Sequence, residues 1–219
     1  MLNPHYSLLL LDLDGTVADT DRMLVESMHI LYDKYRHGVY TPIEQIYYFS
    51  GPPIKETIEK EFPNCDTNAI LEDFVKISWD LYPKTVTPYP HVIETLERIK
   101  NKGVKIAIVT SKAHASTEHC LKVIHLENIV DYFISIDDVK NPKPHAESII
   151  KCMEHFHILD KKQVLYVGDN TSDYLSAKNA NVDVALVKWG PRKIDTNNKP
   201  NYWLNNFLEL EDIIDGTNL

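Results

Sequence analysis

Two carboxylates, Asp12 and Asp14, follow an unbroken run of leucines near the start of the chain, and Gly15 comes directly after them. An apolar run without alternation is typical of a strand that is covered on both faces, as strands are in parallel α/β sheets. Because ligands bind at the carboxyl ends of such strands, the two acids are placed for chemistry rather than for packing. The two-residue period of a strand points both acids the same way, while Leu13 points into the core. On its own the stretch fits an ordinary acidic turn equally well. The rest of the chain must decide between a turn and a site for chemistry.

Polar side chains also follow later apolar runs. Thr110 and Ser111 end one run, Asp169 and Asp173 follow another, and Lys143 lies in a loop between them. Strand ends meet at one edge of a parallel sheet, so these groups are expected to converge with the two acids of the first strand. Carboxylates with one lysine and one hydroxyl are the groups that phosphoryl transfer on a divalent cation needs. Mg²⁺ prefers hard oxygen ligands and keeps several waters, so two or three acids suffice to bind it. The cation would also let a carboxylate attack an anionic phosphate against charge repulsion.

The elements that would position these groups alternate between strand and helix from residue 92 onward. Buried strands are predicted at 104–109, 132–136, 164–167 and 184–187. Helices are predicted at 92–100, 115–125, 145–156 and 172–180, with a last helical piece at 203–214 and a polar, mobile loop at 193–201. Such alternation predicts an α/β fold with a parallel sheet and helices on both faces.

A block of helices separates the first strand from this alternating part. Apolar residues at three- and four-residue spacing predict helices at 21–35, 43–49, 54–62 and 69–82, and no strand between 19 and 83. Three prolines within 83–90 predict a connector without helix, because each proline disfavours helix before it.

The composition is that of an ordinary globular protein that binds neither nucleic acid nor a membrane. Of the 219 residues, 43% are hydrophobic and 25% are charged, and the net charge of −9 offers no basic surface to an anionic partner. The three cysteines lie far apart in the chain, which suits a reducing compartment. The short apolar N-terminal run has no basic flank and is interrupted by Asp12, so neither a signal peptide nor a transmembrane helix is expected. We therefore expect a cytoplasmic protein.

The polar groups form four motifs in sequence order: Asp-Leu-Asp-Gly-Thr at 12–16, Thr-Ser at 110–111, Lys-Pro at 143–144 and Gly-Asp-Asn-Thr-Ser-Asp at 168–173. In this order they resemble the motifs of the haloacid dehalogenase superfamily of phosphohydrolases. The helical block resembles the α-helical cap of the phosphoglycolate phosphatase-like branch, and the resemblance runs from residue 8 to about 192. It implies a three-layer Rossmann-like core around a parallel sheet, formed by residues 1–18 and 85–219, with an inserted α-helical cap at 19–84.

The resemblance implies a role for each polar residue. Asp12 would attack phosphorus and form an aspartyl-phosphate, and Asp14 would protonate the leaving oxygen and later activate water. Thr110 would hydrogen-bond the transferred phosphoryl group, and Lys143 would neutralise its oxygens and hold Asp12 in place. Ser111 would bind substrate beside Thr110.

Mg²⁺ is the implied cofactor. Its ligands would be Asp12, Asp169 and the main-chain carbonyl of Asp14, with Asp173 supporting the ion from nearby.

Further substrate contacts are expected from two loops. Ser50, Gly51 and Pro52 resemble the loop with which caps of this branch reach over the active site. Arg192 is a candidate contact for a substrate carboxylate.

Plain structural roles remain open for several of these residues. Thr110 and Ser111 could simply cap the following helix, Lys143 could be an ordinary loop lysine, and Asp173 could be the acid of a helix N-terminus.

The resemblance implies a Mg²⁺-dependent phosphatase for small phosphomonoesters of the phosphoglycolate type. Its partner would be a small phosphorylated metabolite, and the protein would be a monomer or a homodimer. A sugar-phosphate mutase of the β-phosphoglucomutase type, or a pyrophosphatase or nucleotidase of the same superfamily, is the alternative. A signalling receiver domain has no place for the helical block, and a true dehalogenase would not need Asp14, because halide leaves without a proton.

Overall fold

The first strand lies at the centre of a parallel sheet. The computed structural model describes residues 5–194, 197 and 199–217. Six of its strands form this sheet: β1 (Leu8–Leu11), β4 (Lys105–Val109), β5 (Tyr132–Ile134), β6 (Val164–Gly168), β7 (Asp183–Val187) and β8 (Tyr202–Leu204). Their order across the sheet is β5-β4-β1-β6-β7-β8, and all five neighbouring pairs are parallel.

Strand β1 is fully buried because apolar side chains cover both of its faces. Leu9 and Leu11 belong to the apolar cluster on one face of the sheet, and Leu8 and Leu10 belong to the cluster on the other. The run of leucines without alternation is thus explained by two separate cores, one on each side. The α/β, three-layer Rossmann-like fold expected from the sequence is confirmed.

Helices supply the outer layers. Three pack on the face of Leu9 and Leu11: α5 (Val92–Asn101), α6 (His114–Val123) and α9 (Glu209–Ile214). Two pack on the face of Leu8 and Leu10: α7 (Glu147–His155) and α8 (Thr171–Ala180).

A helical insertion leaves and rejoins this core through a short two-stranded ribbon. Strands β2 (Ala18–Asp19) and β3 (Thr87–Pro88) pair antiparallel. Between them lie α1 (Asp21–Arg36), α2 (Ile43–Ile46), a 3₁₀ turn (Tyr47–Phe49), α3 (Ile54–Glu61) and α4 (Thr67–Thr85). These helices have an apolar core of their own, which includes Met28, Leu31, Ile46, Ile58 and Ile70. The ribbon was not predicted, because two residues are too few to show an alternating pattern.

The prediction of a helix over 203–214 is wrong at its start. Tyr202–Leu204 is the sixth strand, paired with β7 so that Trp203 lies opposite Leu186, and the helix begins only at Glu209. Three apolar residues carry no periodicity, so the neighbouring strand decided their conformation.

The connector predicted at 83–90 begins later than expected. Helix α4 continues through Pro83 to Thr85, and the amide of Val86 donates to the carbonyl of Tyr82. A proline in the last turn costs the helix a single hydrogen bond, and the packing of α4 outweighs this. The loop predicted at 193–201 includes residues 195, 196 and 198, which lie outside the described part of the chain, so its mobility stays a prediction.

Within the described ranges no helix is both long enough and apolar enough to cross a bilayer.

Candidate active site

The carboxyl ends of β1, β4 and β6 bring most of the predicted site residues to one edge of the sheet. Leu11 lies between Ile108 and Val167 in the register of these three strands. The next residues along each strand therefore reach the same edge, with Asp12 on the central strand.

Asp12 is buried and bound on one oxygen only. Its Oδ1 accepts a hydrogen bond of 2.6 Å from Lys143 Nζ, and its amide donates to the carbonyl of Val167. Oδ2 accepts no hydrogen bond from the described residues. Burial raises the pKa of Asp12 well above its ordinary value, and Lys143 opposes this shift. One oxygen is thus held in place while the other is available to react.

Lys143 is a buried cation between two carboxylates. Besides Asp12, its Nζ contacts Asp173 Oδ1 at 2.8 Å, the Tyr166 hydroxyl at 3.2 Å and the Val109 carbonyl at 3.3 Å. Burial disfavours the charge, but the two carboxylates hold the pKa of Lys143 well above its usual value. The alternative of an ordinary loop lysine does not fit a side chain that is 2% exposed.

Asp173 uses both of its oxygens within the protein. Oδ1 accepts from Lys143 and from the Tyr166 hydroxyl, and Oδ2 accepts from the amides of Asp169 and Asn170 at 3.1 and 3.2 Å. Asp173 therefore fixes both Lys143 and the loop that carries Asp169.

Asp169 faces Asp12 from the end of β6. Oxygen atoms of Asp12, Asp169 and Asp173 lie within 4.8 Å of one another, and an all-carboxylate donor set fits Mg²⁺. Burial raises the pKa of Asp169 to about 6, although Arg192 lowers it. Gly15, at φ +87°, approaches so closely that a Cβ there would overlap Asp169 and Arg192, so only glycine fits.

Arg192 binds the protein's own carboxylates, and its expected contact with a substrate carboxylate stays a prediction. Its Nη2 is buried and has no hydrogen-bond partner among the described residues. Its Nε contacts Asp169 Oδ2 at 2.5 Å. Its Nη1 donates to Asp21 Oδ1 at 2.7 Å and to the Tyr47 carbonyl at 3.0 Å. The guanidinium thereby joins the active-site edge to the helical insertion. Nothing in the sequence spacing links Arg192 to residues so far away in the chain.

Asp14 has one bound and one unbound oxygen. Its Oδ2 lies 3.1 Å from Lys112 Nζ. Its Oδ1 is buried and has no hydrogen-bond partner among the described residues. Burial disfavours the charge of Lys112, but Asp14 and Tyr82 hold its pKa well above the usual value. Sequence reasoning missed Lys112, although its position directly after Thr110 and Ser111 was a usable signal.

Thr110 and Ser111 do not cap the following helix. Helix α6 begins at His114, and among the described side chains it is Asp137 that accepts from the His114 amide. The hydroxyl of Thr110 instead accepts from the Lys112 amide at 3.2 Å. Both predicted residues face the site beside Asp12.

Ser50, Gly51 and Pro52 lie over the site, where the sequence places them. Gly51 has φ +114°, and a Cβ there would come within 3.1 Å of Asn170 Nδ2. This loop of the insertion thus touches the loop after β6, and it separates two cavities.

The Asp14 cavity, of about 180 Å³, contains Asp12, Asp14, Thr110, Ser111 and Lys112 in its walls. The Lys143 cavity, of about 360 Å³, lies on the other side of the loop. Its polar lining includes Tyr48, Glu56, Lys143, Asp169, Asn170, Thr171, Ser172, Arg192 and Lys193. Ser50, Gly51 and Pro52 line both cavities.

Known proteins are similar to this chain in sequence and in fold. A sequence model of haloacid dehalogenase-like hydrolases matches residues 9–187. The chain is 31% identical over 216 residues to pyrophosphatase PpaX of Bacillus anthracis strain CDC 684, covering 96% of this chain and 97% of that protein. It is also 31% identical over 208 residues to pyrophosphatase PpaX of Halalkalibacterium halodurans, covering 94% and 95% of the two chains.

One similar solved structure comes from Haemophilus somnus and is described as a predicted phosphoglycolate phosphatase. It superposes with a TM-score of 0.86 at 20% identity, covering 95% of this chain and 98% of that one. At this identity the likeness concerns the fold alone. The match over residues 9–187, together with the motifs at the sheet edge, places the chain in the family of haloacid dehalogenase-like hydrolases.

Proposed function

We propose that the protein is a Mg²⁺-dependent phosphatase that hydrolyses small phosphomonoesters through a phosphorylated Asp12. The proposal rests on one observation, the different hydrogen-bonding surroundings of two carboxylates in the same site. Asp12 is held on one oxygen by Lys143 at 2.6 Å, whereas Asp14, whose buried Oδ1 has no partner among the described residues, lines the same cavity as Asp12. One acid is thus arranged as a nucleophile and the other as a proton donor.

In the first step Asp12 Oδ2 attacks phosphorus. A new bond forms between this oxygen and phosphorus while the bond from phosphorus to the leaving oxygen breaks. The proton on Asp14 Oδ1 passes to the leaving oxygen, so the alcohol departs uncharged. Thr110 donates a hydrogen bond to the phosphoryl group, and Lys143 neutralises its oxygens while it holds Asp12. Ser111 contacts the substrate beside Thr110.

In the second step water attacks phosphorus. Asp14 Oδ1 takes one proton from this water, and the bond between Asp12 and phosphorus breaks. Inorganic phosphate leaves, and both acids return to their initial protonation states.

The ion would be held by Asp12, Asp169 and the main-chain carbonyl of Asp14. Bound there, Mg²⁺ would neutralise charge on the phosphoryl oxygens and so reduce their repulsion of Asp12. Asp173 would support the ion from outside this ligand set, because it fixes Lys143 and the loop that carries Asp169.

We also propose a role for the helical insertion, a cellular compartment, a partner and an oligomeric state. Residues 19–84 would act as a cap that closes over Asp12 and expels bulk water, with Ser50, Gly51 and Pro52 as substrate contacts. The compartment would be the cytoplasm, which suits three cysteines without disulfides. The partner would be a small phosphorylated metabolite, and the protein would act as a monomer or a homodimer.

Pyrophosphate is the second candidate substrate. The relatives at 31% identity carry the name pyrophosphatase, and the same two steps would hydrolyse pyrophosphate with phosphate as the leaving group. A mutase would instead return the phosphoryl group from Asp12 to a second hydroxyl.

The test measures phosphate release from p-nitrophenyl phosphate, phosphoglycolate, pyrophosphate, nucleotide monophosphates and sugar phosphates, with Mg²⁺ and with EDTA. We expect release that EDTA abolishes. Rapid acid quench should leave one phosphoryl group on the wild-type protein, detected by intact mass. The Asp12→Asn variant should show neither release nor the added mass, whereas Asp80→Asn, which changes an exposed acid on α4, should behave as wild type.

Two results would overturn the proposal. One is normal turnover by Asp12→Asn, and the other is a folded wild-type protein that releases phosphate from no substrate.

A further inference from the structure

The position of Asp14 determines where the leaving group lies, if the proposed function holds. The leaving oxygen must be opposite Asp12 and within reach of the proton on Asp14. Asp14 lines the Asp14 cavity and does not line the Lys143 cavity, as far as the described residues define their walls. The leaving group therefore occupies the Asp14 cavity.

The far wall of the Asp14 cavity is apolar. It consists mainly of side chains from α1, the 3₁₀ turn, α3 and α4: Met23, Leu24, Phe49, Ile54, Leu71 and Phe74. The polar groups on the remaining wall are mostly neutral hydroxyls, and that of Ser78 already donates to the Val75 carbonyl at 2.9 Å. Such a wall favours an apolar occupant, because burying apolar surface is favourable and leaving a polar group unpaired is costly.

The charges in the Asp14 cavity disfavour an anionic occupant. Lys112 is the one cation that lines it in the described part of the chain, and Lys112 is already paired with Asp14. It also lies 5.6 Å from the centre of the Tyr82 ring. A second phosphate or a carboxylate would thus add negative charge beside Asp12 and Asp14, and no unpaired side-chain cation of the described residues lines this cavity to meet it.

The other cations of the site line the Lys143 cavity and not the Asp14 cavity, in which the leaving group would lie. Lys143, Arg192 and Lys193 line the Lys143 cavity. Lys143 and Arg192 are themselves bound to buried carboxylates. None of the three lines the part of the site where the leaving group would lie.

The volume limits the size of the occupant. An apolar cavity of about 150 Å³ holds a benzene molecule, so one of about 180 Å³ holds roughly six to eight non-hydrogen atoms. Asp12, Thr110 and Ser111 line the same cavity, so the phosphoryl group takes up part of this volume and the alcohol must be small. We infer that the substrate is the phosphate ester of a small, uncharged and largely apolar alcohol. This deepens the proposed function, on which it rests, by naming the substrate class.

The experiment compares two esters of the same shape that differ in charge. In 3-methylbutyl phosphate the alcohol ends in two methyl groups, and in 3-(phosphonooxy)propanoate a carboxylate replaces them. Both alcohols need a proton on leaving, so the comparison isolates the cavity wall. We expect kcat/KM to be at least about tenfold higher for 3-methylbutyl phosphate, and higher than for pyrophosphate.

A matched pair of variants tests whether the wall sets this preference. Phe74→Lys places a cation in the Asp14 cavity and should bring the ratio of the two kcat/KM values to about one or below. Asn68→Lys adds the same charge to an exposed position of α4 and should leave the ratio unchanged. Leu71→Lys makes the same test if Phe74→Lys does not fold.

The possible outcomes distinguish failure of this inference from failure of the proposed function. If the esters are hydrolysed but the carboxylate ester or pyrophosphate is preferred, the inference is wrong and the phosphatase stands. If neither lysine in the wall changes the ratio, the leaving group does not occupy this cavity and the inference is also wrong. If no phosphate is released even from p-nitrophenyl phosphate, both the function and the inference fail.

Discussion

Lys112 holds one oxygen of Asp14 and leaves the other without a partner among the described residues, so we expect it to be a positioning residue for the proton donor. Lys112→Met should lower kcat/KM for alkyl phosphates by about tenfold or more, because general acid catalysis contributes on the order of 10²–10⁴. The kcat/KM for p-nitrophenyl phosphate reports the same first step and should fall much less, since nitrophenolate leaves without a proton. Steady-state kinetics on both esters, with Lys112→Arg as the conservative variant, makes the measurement. An equal fall on both esters would show that Lys112 does not act through Asp14.

Lys143 neutralises two carboxylates that would otherwise be buried unpaired. Lys143→Met should therefore abolish turnover and lower the free energy of unfolding by about 3–5 kcal/mol. Denaturant unfolding followed by circular dichroism measures this loss. When Asp173→Asn is added to Lys143→Met, it removes one of the two buried, unpaired carboxylates. The double variant should regain part of the stability but none of the activity. Unchanged stability in the single variant would contradict the ion-pair network described here.

Most site residues were predictable from the sequence because each follows a buried strand directly. Asp12 and Asp169 are carried by strands whose apolar runs show both the strand and its end. The partners of these residues were not predictable. Arg192 meets Asp21 across 171 positions of the chain, and only the folded packing brings them together.

At the level of elements, the loop that presents Lys143 is held by Glu147 in the first turn of α7. The carboxylate accepts from the amides of Lys140 and Asn141 at 2.9 and 3.0 Å and from the Asn141 side chain. These bonds lower the pKa of Glu147 to about 2, with the Lys140 amide as the largest cause. The loop therefore favours the ionised form of Glu147.

A lowered pKa makes the contribution of Glu147 to stability depend on pH. The contribution is fully present above the unfolded-state pKa of about 4.3 and is lost as the pH falls towards 2. Wild type should thus have a higher Tm than Glu147→Gln at pH 6, and the difference should shrink as the pH falls through this window. Thermal melts at several pH values measure it. Glu127→Gln, at an exposed position, is the control, and a Tm difference that stays constant down to pH 2 would contradict the prediction.

The elements themselves were predicted unevenly, for physical reasons. Strands β1, β4 and β6 have buried runs of four or five residues, long enough to show the pattern of a central strand. Strand β8 has three residues and β2 and β3 have two each, so their conformation comes from pairing with a neighbour. Helix α4 extends past Pro83 because the tertiary packing of a long helix outweighs a local breaking signal.

Across the whole molecule, the core and the helical insertion meet through a few polar contacts beside the active site. Arg192 from the loop after β7 donates to Asp21 and to the Tyr47 carbonyl. The amide of Lys193 donates to the Tyr48 hydroxyl at 3.1 Å. All three acceptors belong to the insertion, whereas the Nε of the same arginine binds Asp169 in the core. A single side chain thus contributes to both the closed arrangement and the position of Asp169.

Because Arg192 is 8% exposed, its ion pairs are shielded from solvent and should contribute more to closure than surface pairs do. Arg192→Met should therefore open the insertion more often, which hydrogen exchange would detect as faster exchange of the amides at 47–51 while those of β1 and β6 stay protected. Arg22→Met is the matched control, because among the described residues Arg22 pairs with Glu26 alone, on the exposed side of α1. Equal exchange at 47–51 in wild type and Arg192→Met would mean that apolar packing, and not this arginine, keeps the insertion over Asp12. Faster exchange throughout the core would instead assign Arg192 to global stability, because the buried Asp21 and Asp169 would then have lost their shared cation.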